Sequence, residues 1–327
     1  MTIQRRTLLQ LAGGSCLAPW TAHTAQAADW PSQPVKLIVP APPGGPVDKM
    51  ARFMAQEMNQ RLKGNFIVDN RPGGAGFTAA MAVAKAAPDG HTLHVTSTLN
   101  AIGQTLFPNP PVDINNDFVH IGGLSQGPQI LVARTDFPAD SLRKLIEMAR
   151  KEPGKLNYAS SGAGSTGHLT IELFLKQAGI QMAHVGYKGA APAMQDTLAG
   201  IVPVLVITPP VALPHIKAGK LRVLASTGAR RSSFMPDVPT FEELGVSGLT
   251  TNAWGGVSAP RGTPAEIVRR LHAALLEMNR SAPTIANYAA DGFEPFSPAS
   301  PEEFARIVRD DTERYGRIIK SANIQPS

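Results

Sequence analysis

Two glycine-rich stretches carry the residues best suited to chemistry. The first, Pro42-Pro43-Gly44-Gly45-Pro46-Val47-Asp48, follows the apolar run Val35 to Val39 and precedes apolar residues at helical spacing: Met50, Phe53, Met54, Met58 and Leu62. A strand must end at the prolines and a helix must begin near Val47, so the free N–H groups of that helix face the glycine loop. Such an end attracts anions, because bare glycines let a ligand reach the backbone and the helix dipole favours negative charge there. The second stretch, Ser160-Ser161-Gly162-Ala163-Gly164-Ser165-Thr166, repeats the arrangement between a strand, Leu156 to Ala159, and a helix bearing His168, Leu169, Leu173 and Phe174. One such turn is an ordinary strand-to-helix connection; two copies suggest one anion held between two units. Asp48 has two readings, contact with a donor group of a ligand or electrostatic support for the start of its own helix.

The same residues admit enzymatic readings. Gly162-Ala163-Gly164-Ser165-Thr166-Gly167 fits the dinucleotide pattern G-x-G-x-x-G between a strand and a helix. The next strand, however, ends at Gly186-Tyr187-Lys188 and offers no carboxylate for a ribose. Gly123-Leu124-Ser125-Gln126-Gly127 spells a nucleophile elbow, but Pro128 and an apolar strand follow where a helix is required. Ala163 to Gly167 is an alanine variant of that elbow which does precede a helix, with Asp196 and His215 downstream in hydrolase order. An exported α/β enzyme, cofactor-dependent or hydrolytic, therefore stands as the alternative function. His91, His94, His120, His168, His184, His215 and His272 are scattered without a second histidine at i, i+4, so no metal site is expected, and no cofactor is expected either. His168 lies one turn inside the second helix, either touching a ligand or holding a loop carbonyl.

The elements that must position these loops follow from the pattern of the chain. Arg5 and Arg6 precede an apolar stretch, and Ala25-Gln26-Ala27 is a small-x-small cleavage signal, so residues 1–27 read as an export signal with a mature start at Ala28. The paired arginines resemble a twin-arginine signal, although Gln4 and Thr7 fit it poorly; Cys16 as a lipidation site is disfavoured by Gly13. The only cysteine leaves with that segment, and the formal net charge of +6 falls by two arginines. Mild charge of mixed sign and 6% aromatic residues exclude a nucleic-acid surface.

In the mature chain, strands at 66–70 and 92–98 alternate with helices at about 47–62 and 77–87, which implies right-handed βαβ units. Residues 118–134 read as two strands joined at Gly127-Pro128, a crossing between domains. Strands at 156–159, 182–186, 201–207 and 221–226, with helices between, form a second α/β unit. A strand at 252–259 precedes two helices opened by Thr263-Pro264-Ala265-Glu266 and Ser300-Pro301-Glu302-Glu303, both capping boxes. These helices need a sheet, so the chain is expected to return to the first domain. The predicted division is residues 28–128 with 248–327 as domain 1 and residues 129–247 as domain 2.

Several blocks in order resemble the Bug-type extracytoplasmic receptors of tripartite tricarboxylate transporters. They include Pro34-Val35-Lys36-Leu37-Ile38-Val39-Pro40, Asn70-Arg71-Pro72-Gly73, Ala84-Lys85-Ala86-Ala87-Pro88-Asp89-Gly90 and Pro153-Gly154-Lys155-Leu156-Asn157-Tyr158-Ala159-Ser160. Tyr187-Lys188-Gly189-Ala190, Leu213-Pro214-His215 and Pro236-Asp237-Val238-Pro239-Thr240 extend the likeness over almost the whole mature chain.

The resemblance implies a two-domain periplasmic-binding-protein (Venus flytrap) fold, each domain a mixed, mostly parallel sheet flanked by helices. It implies a receptor rather than an enzyme, acting as a monomer in the periplasm and delivering a small organic carboxylate to membrane transporter subunits. Carried onto this chain, the ligand loops are Pro43, Gly44, Gly45 and Asp48 with Thr98 on one side. On the other stand Ser160, Ser161, Gly164, Ser165, Thr166 and His168, joined by Tyr187 and Lys188. The chain departs from the family where Ile201-Val202-Pro203 and Ile207-Thr208-Pro209-Pro210 replace segments that usually carry polar residues. A ligand with an apolar or aromatic body is the expectation that follows; repacking of the hinge alone is the other.

Overall fold

The computed structural model describes residues 30–325, and the expected export signal, its expected cleavage site and Cys16 lie outside them. Strand β1 (Val35–Val39) pairs in parallel with β2 (Phe66–Asn70) and with β3 (Thr92–Ser97). Helix α1 (Pro46–Leu62) makes the first crossover and α2 (Phe77–Ala84) the second. The latter stops at Ala84, short of the expected Ala87, with the Lys85 N–H donating to Met81 O. Thr98 is not the end of the third strand: it opens α3 (Thr98–Leu106), a helix hidden in the sequence by Asn100, Gly103 and Thr105, all weak helix formers.

Strand β4 (Phe118–Pro128) crosses through Gln129 into β5 (Ile130–Arg134). The crossing lies just beyond the expected Gly127-Pro128, because those residues still pair with Ala253 and Asn252 of β10 (Asn252–Pro260). Between the crossings, β5 is joined by β6 (Asn157–Ser160), β7 (Ala183–Gly186), β8 (Val204–Ile207) and β9 (Leu221–Ser226) in the order β7-β6-β8-β5-β9. Helices α4 (Leu142–Lys151), α5 (Thr166–Ala178), α6 (Ala190–Leu198) and α7 (Pro209–Lys217) complete this unit.

β10 then returns to the first sheet and inserts between β3 and β4, antiparallel to both. With β11 (Glu294–Pro295) the order is β11-β4-β10-β3-β1-β2. Both sheets are mixed as expected. The βαβ strands supply four parallel pairs, while β4, β10, β11 and β5 supply five antiparallel ones, so the sheets are mixed rather than mostly parallel.

Three helices, α8 (Ala265–Arg280), α9 (Ala282–Ala290) and α10 (Pro301–Ala322), follow β10. Ser300 caps α10 as its sequence predicts, accepting the Glu303 N–H at 3.2 Å while Glu303 accepts the Ala299 N–H. Thr263 does not cap α8; its hydroxyl donates to Pro260 O at 2.8 Å. The first core packs Leu37, Val95, Ile121 and Val257 against Met54, Met58 and Leu271, and the second packs Leu131, Tyr158 and Val204 against Leu145 and Phe174. A third cluster joins the lobes: Ile102 and Leu106 of α3 meet Leu169 of α5 and Tyr315, Ile318 and Ile319 of α10.

Candidate functional site

A cavity of about 310 Å³ lies between the two sheets, and five helices open onto it. Pro46 and Val47 begin α1, Ser97 to Leu99 begin α3, Ser165 to Gly167 begin α5, Ala190 begins α6, and Thr208 precedes α7. Each helix leaves unpaired N–H groups and a partial positive charge at this end.

The best-defined corner is the start of α5. Ser165 adopts an extended backbone and its hydroxyl accepts the His168 N–H at 3.2 Å, which frees the preceding turn. The N–H groups of Thr166 and Gly167 donate to no group among the described residues, and both residues line the cavity. Gly167 fits closely there: a Cβ would stand 3.0 Å from Val206 O and 3.5 Å from Gln129 Oε1. Gln129 spends its own backbone on Thr227, donating to the hydroxyl at 2.8 Å and accepting the Thr227 N–H at 3.0 Å. Its side chain is left to the cavity wall. On the opposite side the Thr98 hydroxyl accepts the Trp254 N–H at 2.9 Å and so ties the start of α3 to β10.

The remaining wall is apolar, built from Val47, Met50, Leu99, Ile207, Trp254, Tyr288 and Phe293. Trp254 is fixed by its indole N–H, which donates to Asp311 at 2.6 Å, and Arg314 holds the same carboxylate at 2.7 Å. Burial pushes the Asp311 carboxyl above its ordinary value in spite of Arg314. Tyr288 meets Phe53 edge to face at 6.0 Å. Asp291 and the exposed Lys49 are the charged residues of the lining.

Of the residues singled out in the sequence, Thr98, Ser161, Ser165 and Thr166 line this cavity. The others stand behind it. Pro43, Gly44 and Gly45 form the approach to α1, and the cavity begins one residue later, at Pro46. Asp48 is buried and accepts the Gly44 N–H and Arg52 Nε at 2.9 Å each and Asn70 Nδ2 at 2.8 Å. Burial works to raise its pKa, but these bonds outweigh it and hold the carboxyl below its ordinary value. Asp48 thus locks the glycine loop to α1 and β2.

Ser160 and Gly164 are likewise internal. The Ser160 hydroxyl lies 2.7 Å from His184 Nε2 and 3.1 Å from Gly162 O. His168 accepts the Gly164 N–H on Nδ1 at 3.0 Å and stacks on His184 with 3.8 Å between ring centroids, so it holds the loop by an amide rather than a carbonyl. Burial, then the charge of His184, pushes His168 down to about 4 and keeps it neutral. Tyr187 donates to Asp196 at 2.8 Å, with burial pushing its hydroxyl up to about 12, and Lys188 is exposed to solvent. Among the unusual segments, Ile207 and Thr208 reach the cavity, whereas Ile201 is exposed and Val202 belongs to the core.

Gln129, Trp254, Tyr288, Asp291 and Phe293 escaped the sequence reading. Gln129 had a signal, its place beside the predicted crossing. The others sit singly in the C-terminal third and belong to no local motif.

Two α/β lobes joined by crossing strands, with a cavity ringed by helix N-termini between them, define a solute-binding receptor of the periplasmic-binding-protein type. Residues 50–324 match the sequence model of the tripartite tricarboxylate transporter family receptor, and the chain belongs to that family. It is 35% identical over 322 residues to the UPF0065 protein in the tcbD-tcbE intergenic region of a Pseudomonas species, covering 97% of this chain and 94% of the relative. It is 34% identical to Protein BugT of Bordetella pertussis over 95% of this chain and 94% of that one. Among solved structures, Rpa4515 of R. palustris with adipate superposes with a TM-score of 0.82 at 34% identity, covering 91% of this chain and all of the other (100%). MatC (Rpa3494) from Rhodopseudomonas palustris with bound malate gives 0.77 at 30% identity, covering 88% and 99%. Membership places the chain among solute receptors of transporters and sets aside the enzymatic readings of Gly162 to Gly167.

Proposed function

We propose that the cavity captures a small organic carboxylate with an apolar or aromatic body and presents it, by closure of the lobes, to the membrane subunits of a transporter. The observation that carries this is the pairing of converging helix N-termini with a wall of Trp254, Tyr288, Phe293, Ile207 and Met50. One helix dipole contributes about 0.3–1 kcal/mol, or ~2 when partly buried. Micromolar affinity needs roughly 8 kcal/mol. Several charge-assisted hydrogen bonds at about 1.5–3 kcal/mol each, in a cleft closed to water, make up the difference. Ligand contact falls to Thr98, Ser161, Ser165 and Thr166, joined by Gly167 and Gln129, while Asp48, Ser160, Gly164 and His168 shape the loops. The adipate and malate complexes of relatives support a carboxylate as the ligand class.

In this reading residues 1–27 direct export to the periplasm, with Arg5 and Arg6 as a twin-arginine element, and the mature chain works as a monomer. Residues 28–128 with 248–327 and residues 129–247 are the two moving units. The test is thermal melting of residues 28–327, unfolded and refolded to strip carried-over ligand, against aliphatic, aromatic and polar carboxylates. A ligand at a hundredfold excess over its Kd adds about 2.7 kcal/mol, which for this length raises Tm by roughly 5 °C. Shifts with apolar-bodied acids are expected; shifts confined to citrate-like polar acids overturn the apolar body, and none at all overturns carboxylate capture.

A further inference from the structure

We infer that Asp291 reads the far end of the ligand and restricts the site to monocarboxylates whose other end carries a hydrogen-bond donor such as a hydroxyl or amide. The inference rests on the carboxylate capture proposed above and specifies its substrate class.

The five helix N-termini are not equivalent. α1 opens with Pro46, and α7 opens with Pro209 and Pro210, which have no N–H to give. Donors therefore remain at the starts of α3, α5 and α6, and the free N–H groups of Thr166 and Gly167 on α5 are the ones that the capture proposed above assigns to the carboxylate. The opening of α7 is covered instead by the chain that follows α9. Gly292 lies so close that a Cβ would meet Pro209 at 2.6 Å and Leu213 at 3.0 Å. Asp291, the residue before it, lines the cavity, and among the described residues its carboxylate enters no hydrogen bond or ion pair. Asp291, the C-cap of α9, thus brings a negative charge to the wall beside the α7 opening.

A ligand carboxylate on α5 leaves its body along Tyr288 and Phe293, the neighbours of Asp291 in sequence and in the wall. A second carboxylate reaching that end would meet a like charge, whereas a hydroxyl or amide N–H would donate to a free acceptor.

The experiment is calorimetric titration of the stripped, refolded mature protein and of Asp291→Asn with two matched series: benzoate, 4-hydroxybenzoate and terephthalate, and hexanoate, 6-hydroxyhexanoate and adipate. In at least one series the wild-type protein is expected to bind the hydroxy acid roughly tenfold or more tighter than the diacid. Asp291→Asn should narrow that gap chiefly by strengthening the diacid, because asparagine removes the charge and keeps the shape. A diacid bound by wild type as tightly as its hydroxy partner overturns the inference without touching carboxylate capture, as does a ratio unmoved in a folded variant. Silence with every acid, including those of the melting panel, overturns capture and the inference with it.

Discussion

Asp48 shows how a single residue is misread when only its neighbours in sequence are known. Beside Gly44-Gly45 it looks like a ligand group, yet its partners include Asn70, brought to it by the pairing of β2 with β1. Asp48→Ala leaves the Gly44 N–H, Arg52 and Asn70 without their acceptor. A loss of about 1–3 kcal/mol in urea unfolding is expected, and Asp48→Asn, which keeps only part of the set, should fall between. Variants as stable as wild type would return Asp48 to the ligand. His168 carries the same lesson, since its stacking on His184 is made by β7 and α5 meeting across the sheet. Thr166 and Ser165 were legible because a helix start is local: the N-cap and the N–H groups it frees lie within four residues.

Elements with a strong period or a cap declared themselves, and those without did not. α1 and α10 combine proline at the start with apolar residues on one face, so their positions follow from the sequence alone. α9 is short, opens on Ala282-Pro283-Thr284 and buries little beyond Tyr288, which leaves no helical stripe to read. The consequence was serious, because α9 and the turn after it supply Tyr288, Asp291 and Phe293 to the cavity. The junction of α5 with β8 gives a test at this scale. Gly167→Ala places a methyl 3.0 Å from Val206 O, so the first turn of α5 must move by a few tenths of an ångström. Stability should drop by about 1 kcal/mol or less, since helix propensity favours alanine, while affinity for the best carboxylate falls at least tenfold by titration. Unchanged affinity would remove the α5 N-terminus from the site.

Across the molecule, neutral histidines make stability depend on pH. Burial pushes His94 down to about 3 and His120 to about 4, and His168 stands at about 4, all from an ordinary 6.5. The unfolded chain takes up protons near pH 6.5 and the fold refuses them, so their stabilisation is complete above that pH and drains away as pH falls toward 4. Each contributes a slope of up to about 1.4 kcal/mol per pH unit in that window. Urea midpoints should decline steadily from pH 7 to pH 5, and His94→Leu should flatten the decline. A flat wild-type profile would mean that these rings are protonated within the fold.

The insertion of β10 between β3 and β4 also sets an order of assembly. β4 and β3 touch through a strand that the ribosome makes more than a hundred residues later, so the first sheet stays split until Pro260 has emerged. The second sheet, from β5 to β9, is complete by Ser226, when Ile130 finds its last partner. An incomplete chain therefore carries one finished lobe and one open sheet with bare edges, the state most exposed to aggregation. The crossing that lets two lobes share a cavity makes the first part synthesised the last part to fold.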